Sequence, residues 1–246
     1  MHTTLNHWSA ILAEVWGIDA TLASLAGEYD LNLRATTRDG RRYVLKVMRP
    51  GCDAPFVDLL TQAHAHIASR DPGVPIPSLV PTRDGAPYCQ RPDANGEARY
   101  LWLLSSLDGV EYRRARPHSL ALASELGTHV ARLDRALADF THPAMARDFK
   151  WDLRRGDWIA GHLHEIPDPG RRAIVDGILA RYAALKPALL AEPAAAIHND
   201  INDCNILVGR SADGTLAITG IIDFGDLTLA PAVAELASTG AYLVLD

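Results

Sequence analysis

The chain has 246 residues, 48% hydrophobic and 22% charged, a globular composition that excludes a disordered or fibrous polymer. Its net charge of −6, from 24 basic and 30 acidic residues, gives no electrostatic reason to bind nucleic acid or an anionic membrane surface. The length admits one large domain or two lobes.

Three scattered cysteines, Cys52, Cys89 and Cys204, read as reduced thiols rather than a disulfide framework. The start "MHTTLNHWSAILAEVWG" lacks the basic n-region and apolar stretch of a signal peptide. No stretch approaches the roughly 20 apolar residues of a membrane span. The expectation is a cytoplasmic protein with no membrane partner.

In chain order, Leu5, Trp8, Leu12, Val15 and Trp16 fall at helical spacing and predict an opening amphipathic helix. Residues 20–48 then alternate around Asp39-Gly40, hairpin chemistry because both turn positions can take positive φ, which predicts three antiparallel strands. Phe56, Leu59, Leu60, Ala63 and Ile67 predict a helix over 54–69, ended by the Pro-rich "DPGVPIPSLVP". Two further strands are expected, near 78–83 and over 98–109. From 118 to 190 the pattern is mostly helical, with a stripe of Leu120, Ala123, Leu126, Val130, Leu133 and Leu137. The layout is an α+β chain: a β-rich lobe over 1–104, a hinge at 105–109 and a larger helical lobe over 110–246.

The chemistry concentrates after Pro193. "HNDINDCNILV" gathers His198, Asp200, Asp203 and Asn205 ahead of a strand, and Asp213-Gly214 turns that strand into a partner ending at Asp223. Pairing across the turn brings Asn205 and Asp223 to one open end, where opposed residues sit about 5 Å apart. An amide oxygen and a carboxylate there form a hard-oxygen site suited to Mg²⁺. The pattern H-x-D-x-x-x-x-N followed by Asp223-Phe224-Gly225 is that of phosphoryl transfer, in which the first Asp takes the acceptor's proton while the Asn and second Asp hold metal on nucleotide phosphates. A solvated polar turn explains any one of these residues but not their joint register.

Upstream, Lys46 in "YVLKV" lies within an apolar strand and needs an anion such as a nucleotide phosphate. The stretch "LAGEYDLNL" offers one glycine, Gly27, to a phosphate loop. On the following helix Gln62, or Asp58 on the same face, is available to pair with Lys46. His64 with His66, and His162, His164 and Glu165, read as solvated helix ends rather than metal sets, and Cys204 as filler.

"HNDINDCNILV…GIIDFGD" followed by "AVAELA" resembles the aminoglycoside phosphotransferase and choline kinase superfamily, with its two-lobed protein-kinase-like fold. "HPAMARDFKWDL" and "IIDFGDLTLAPAVAELA" resemble the hydroxylysine kinase-like branch, which also occurs fused to class III aminotransferases. The resemblance implies Asp200 as catalytic base, Asn205 and Asp223 as Mg²⁺ ligands, and Lys46 on the α/β-phosphates. It further implies base contacts near Ser105, a loop-bracing His198, and Glu235 as the residue tying down the catalytic loop. Asp203 and Asp226 are left open between site and surface. The function so implied is transfer of the γ-phosphate of ATP or GTP to a hydroxyl of an amine-bearing small molecule, an amino alcohol or hydroxy amino acid. Relatives continue through further helices, so the helical lobe is expected to be truncated, with an exposed stump at 241–245 and a fused or partner domain beyond Asp246. A non-catalytic nucleotide-binding or docking module is the rival. A protein kinase is disfavoured by the short segment after Asp223-Phe224-Gly225.

Overall fold

The computed structural model describes residues 2–244. Helix α1 (His2–Trp16) is followed by three strands, β1 (Ala20–Ser24), β2 (Leu31–Thr37) and β3 (Arg42–Val47), and by helix α2 (Ala54–Arg70). Strands β4 (Leu79–Val80), β5 (Cys89–Pro92) and β6 (Ala98–Ser105) complete a six-stranded antiparallel sheet in the order β1-β2-β3-β6-β4, with β5 also on β6. Strand alternation sorts its side chains. Leu45, Val47, Leu101 and Leu103 point to one face, where they pack with Trp8, Leu12 and Trp16 of α1. Trp102 and Leu104 point to the other, against Leu60, Ala63 and Ile67 of α2. Lys46, paired with Trp102 across β3 and β6, shares that second face and is aimed between the lobes.

The expected hairpin forms at Asp39-Gly40 and uses one positive φ. Gly40 alone is left-handed (φ 83°), because the described non-glycine residues with positive φ are Asn199 and Asp223. The Gly40 N–H donates to Thr37 O, and the Thr37 N–H to Arg41 O. This is a three-residue loop with glycine in the last position, which asks for one positive φ rather than two. Gly214 repeats it at 84° in the later hairpin.

Strand β6 stops at Ser105, and the chain crosses to the second lobe pinned on both sides. The Ser106 N–H donates to Arg42 O at 3.0 Å, and the Thr219 hydroxyl donates to Asp108 O at 2.5 Å. A Cβ on Gly109 (φ 147°) would lie 2.7 Å from the Thr219 hydroxyl, so only glycine fits there.

The second lobe opens with β7 (Val110–Glu111) and α3 (Leu120–Leu137). The buried stripe of α3 is Leu122, Leu126, Val130, Leu133 and Leu137; Leu120 is 91% exposed, because it begins the helix beside the Ser119 cap and lies off that face. Beyond α3 the chain is less regular than its periodicity suggests. The 143–146 and 153–165 segments are 3₁₀, and only α4 (Pro169–Ala191) is a further long α-helix before residue 190. No residue of α4 or of the 153–165 segment is buried. Two small sheets carry the site: β8 (Ala194–Ile197) with β11 (Thr228–Pro231), and β9 (Ile206–Arg210) with β10 (Leu216–Ile221), β7 flanking β9. Helix α5 (Val233–Leu243) follows; beyond it Val244 is 80% exposed, while Leu245 lies outside the described residues.

Candidate active site

Strand β8 delivers its last residue into a loop that folds around its own polar side chains. His198 is fully buried, and burial pushes its imidazole down to about 4, so the ring is neutral. Nδ1 accepts from the Asp200 N–H (3.2 Å), which leaves Nε2 to donate to Ile222 O (3.0 Å). His198 therefore ties this loop to the end of β10 as a brace. Asn199, left-handed at φ 70°, presents its N–H to both oxygens of Glu235 at 3.1 and 3.2 Å. Glu235 is fully buried, and burial, with Asp134 nearby, raises its carboxyl to about 8.

Asp200 is held at both oxygens. The Asn202 amide donates to Oδ1 at 2.9 Å, and the Asn205 amide donates to Oδ2 at 2.8 Å and to the Asp200 carbonyl at 3.0 Å. Asn202 Oδ1 in turn accepts from the N–H groups of Cys204 and Asn205, closing the loop on itself. Burial raises the proton affinity of Asp200, and the charge of Asp223 adds to it against the two amides. A carboxylate so fixed, with an upward-shifted pKa, is suited to accept a proton.

The hairpin closes as expected: Ile221 pairs with Ile206, and the Ile222 N–H donates to Asn205 O at 2.9 Å. Asp223, just beyond, is left-handed at φ 64°. Lys46 Nζ lies 3.2 Å from Asp223 Oδ1, joining the two lobes. Burial pushes the Asp223 carboxyl upward, but the charge and hydrogen bond of Lys46 outweigh it, and the net shift is down. Asp226 is pushed to about 6, first by burial and then by the charges of Asp200 and Asp223.

Among the described residues no group of three or more His, Cys, Asp or Glu side chains forms a metal cluster. A divalent cation is nonetheless compatible with the donors present. The Asn205 amide nitrogen is turned to Asp200, which frees its oxygen to face a cation together with the Asp223 carboxylate. Mutual repulsion among Asp200, Asp223 and Asp226 is what a cation would relieve.

One expected residue stands elsewhere. Gln62 is exposed and donates to Asp58 (2.8 Å), while Asp58 also meets His142 at 3.3 Å; neither is bonded to Lys46, whose carboxylate partner is Asp223. The helical register explains this, because α2 turns Leu60, Ala63, His64 and Ile67 inward and leaves position 62 outside. The Ser105 N–H and hydroxyl are both committed to Ser78 of the strand that leads into β4. Gly27 lies in the β1–β2 loop, whose next residues Glu28, Tyr29 and Asp30 line a cavity with Lys46 and Asp200; a Cβ on it would sit 2.6 Å from Asp30 O, so the loop closes only on a residue this small.

Three residues outside the expected set contribute. Asn202 orients Asp200. His64 is buried rather than a solvated helix end: its ring packs on Trp102 and on Phe224, and burial lowers its pKa to about 4. Its spacing from Leu60 and Ile67 already places it on the apolar face. Arg147 stacks over Phe56 and Phe149, with its guanidinium nitrogens donating to Gly225 O (3.0 Å) and Leu227 O (2.7 Å). Together with Asp200, Asp223 and Lys46, it lines a cavity of about 310 Å³ between the lobes.

A model of a phosphotransferase enzyme family matches residues 21–245. Hydroxylysine kinase of Mus musculus is 26% identical over 260 residues, covering 97% of this chain and 68% of that protein. The Danio rerio hydroxylysine kinase is 25% identical over 247 residues, covering 96% of this chain and 69% of its own length. Among solved structures, an amicoumacin kinase complexed with AMP-PNP and Ca²⁺ superposes with a TM-score of 0.67 at 14% identity, covering 96% of this chain and 68% of that one. A microcompartment-associated aminopropanol kinase gives 0.62 at 18% identity, covering 93% and 72%. These likenesses agree with the expected two-lobed kinase-like fold.

Proposed function

The chain belongs to the phosphotransferase enzyme family, an enzyme that moves phosphate to a small-molecule hydroxyl, and on that premise we propose how its residues do so. The donor is ATP or GTP, and the acceptor is an amine-bearing alcohol or hydroxy amino acid. The observation that carries this reading is Asp200, gripped at both oxygens, in one cavity with the Lys46–Asp223 pair.

Lys46 exchanges Asp223 for the α/β-phosphates of the bound nucleotide. Asn205 and Asp223 would hold Mg²⁺, which when bound would neutralise charge building on the phosphate oxygens. Asp200 accepts the acceptor hydroxyl's proton as that oxygen bonds to the γ-phosphorus. The bond to the β–γ bridging oxygen breaks, and the nucleoside diphosphate leaves. Most of the rate gain comes from positioning and charge neutralisation. His198, Asn202 and Glu235 hold the loop and do not react.

The lack of a helix carboxylate beside Lys46 favours the rival docking module. The fully formed Asp200 cradle speaks against it, since a docking module has no use for an oriented base. Free Cys52, Cys89 and Cys204, with no described helix long and apolar enough to cross a membrane, support a cytoplasmic setting.

The test is thermal stabilisation by ATP and GTP, each with and without Mg²⁺. Ligand at 100 times its Kd stabilises the native state by about 2.7 kcal/mol. A Mg²⁺-dependent rise in Tm with at least one nucleotide is expected; no shift with either contradicts the reading.

A further inference from the structure

The cavity that holds Asp200 has a second, basic side. Arg147 is half-buried, and burial lowers its pKa, with the nearby charge of Arg49 lowering it further. A cation drawn partly out of water is ordinarily set against a carboxylate. Arg147 has none within 4.0 Å among the described residues; its bonds go to the carbonyls of Gly225 and Leu227. Asp226 adds a favourable charge from farther away but is itself crowded by Asp200 and Asp223.

Arg49 approaches the same point. Its guanidinium lies 5.6 Å from the Phe56 ring and that of Arg147 lies 5.0 Å from it, so one aromatic side chain carries both cations. The carboxylate partner of Arg49, Asp30, is at 3.8 Å, a loose pair on a side chain that is 44% exposed. Both arginines line the cavity of Asp200, and both also line a neighbouring one of about 430 Å³. Two guanidinium groups that share one aromatic ring and one cavity, one of them half-buried without a carboxylate, make an anion subsite beside the base.

We propose that this subsite reads a carboxylate on the acceptor, so that the substrate is a hydroxy amino acid rather than an amino alcohol. The inference rests on the kinase reading above and narrows it. Arg49 and Arg147 take the carboxylate by charge-assisted hydrogen bonds, with Phe56 and Phe149 fixing the guanidinium planes. The acidic side of the cavity, with Glu28, Asp148 and Asp226, takes the amine. The hydroxyl is thereby turned to Asp200.

Matched acceptors that differ only by the carboxylate test it: 5-hydroxylysine against 1,5-diaminopentan-2-ol, homoserine against 3-aminopropan-1-ol, and threonine against 1-aminopropan-2-ol. Each is measured by nucleoside diphosphate release and, separately, by thermal shift in the presence of Mg²⁺ and nucleotide. At least one acid is expected to exceed its decarboxylated partner about 10- to 100-fold in kcat/KM, the range for hydrogen bonds to a charged group. Arg49→Met should shrink that ratio by a similar factor. Arg147→Lys serves as the second variant, because loss of its carbonyl contacts also disturbs the loop after Asp223. Amines that equal or exceed their acids overturn the proposal. So does an Arg49→Met that weakens nucleotide binding while leaving the ratio intact, since the arginines would then serve the donor. If no acceptor is turned over, the shift decides: stabilisation by an acid and not its amine, lost in Arg49→Met, upholds the subsite while the kinase reading fails. No stabilisation by any acid overturns the subsite.

Discussion

Replacing Glu235 by Gln gives a pH signature that only a buried, protonated carboxyl can produce. Glu235 is fully buried and holds the Asn199 N–H with both oxygens, and its carboxyl is raised to about 8 from the ordinary 4.5. Between those values the native state keeps a proton that the unfolded chain has released. Stability from this group is therefore complete below pH 4.5 and is lost as pH rises through 8. The slope is about 1.4 kcal/mol per pH unit, and the whole loss is on the order of 5 kcal/mol. Glutamine cannot ionise, and its carbonyl oxygen still accepts from Asn199. Urea unfolding of both proteins at pH 5.5, 6.5, 7.5 and 8.5 reads the difference. Glu235→Gln should gain on the wild type by about 1.4 kcal/mol per pH unit from 6.5 to 7.5 and level off above 8. Asp134 and Asp226, each pushed to about 6, titrate in both proteins and largely cancel. Parallel profiles would refute the reasoning, because the carboxyl would then be ionised in both states.

Two further substitutions separate the residues that matter from those that do not. Asn202→Ala strips a donor from Asp200 Oδ1 and an acceptor from two backbone N–H groups, and should cost about 1–3 kcal/mol in urea unfolding and lower kcat more than KM. Gln62→Ala should leave nucleotide affinity within about 2-fold and stability within about 0.5 kcal/mol, as for an exposed side chain bonded only to Asp58; a large loss by calorimetry would restore it as the partner of Lys46.

The sequence made the site more legible than the lobe around it. The hairpin at Asp213-Gly214 and the fixed offsets of His198, Asp200, Asn205 and Asp223 determine their meeting, because strand pairing leaves little freedom once the turn is located. Lys46 was legible for the same reason, being one position of an alternating strand. Gln62 was misplaced because its offset from Lys46 says nothing of the rotation of α2, which is set by burying Leu60, Ala63 and Ile67. The same register hides His64 at the packing point of Phe224. The 3₁₀ run over 153–165 carries helical spacing without a buried face, so periodicity alone could not tell it from an α-helix. Arg147 stands within "HPAMARDFKWDL", but its part in the site was not legible there, since its carbonyl partners lie about 80 residues away and the Phe56 ring about 90.

In the proposed mechanism Asp200 removes the acceptor's proton while other residues bind the nucleotide. The direct measurement is phosphate transfer from labelled ATP and GTP by Asp200→Ala, alongside its Mg²⁺-nucleotide thermal shift. Transfer should fall about 10²- to 10⁴-fold with the shift retained. Undiminished transfer would contradict it.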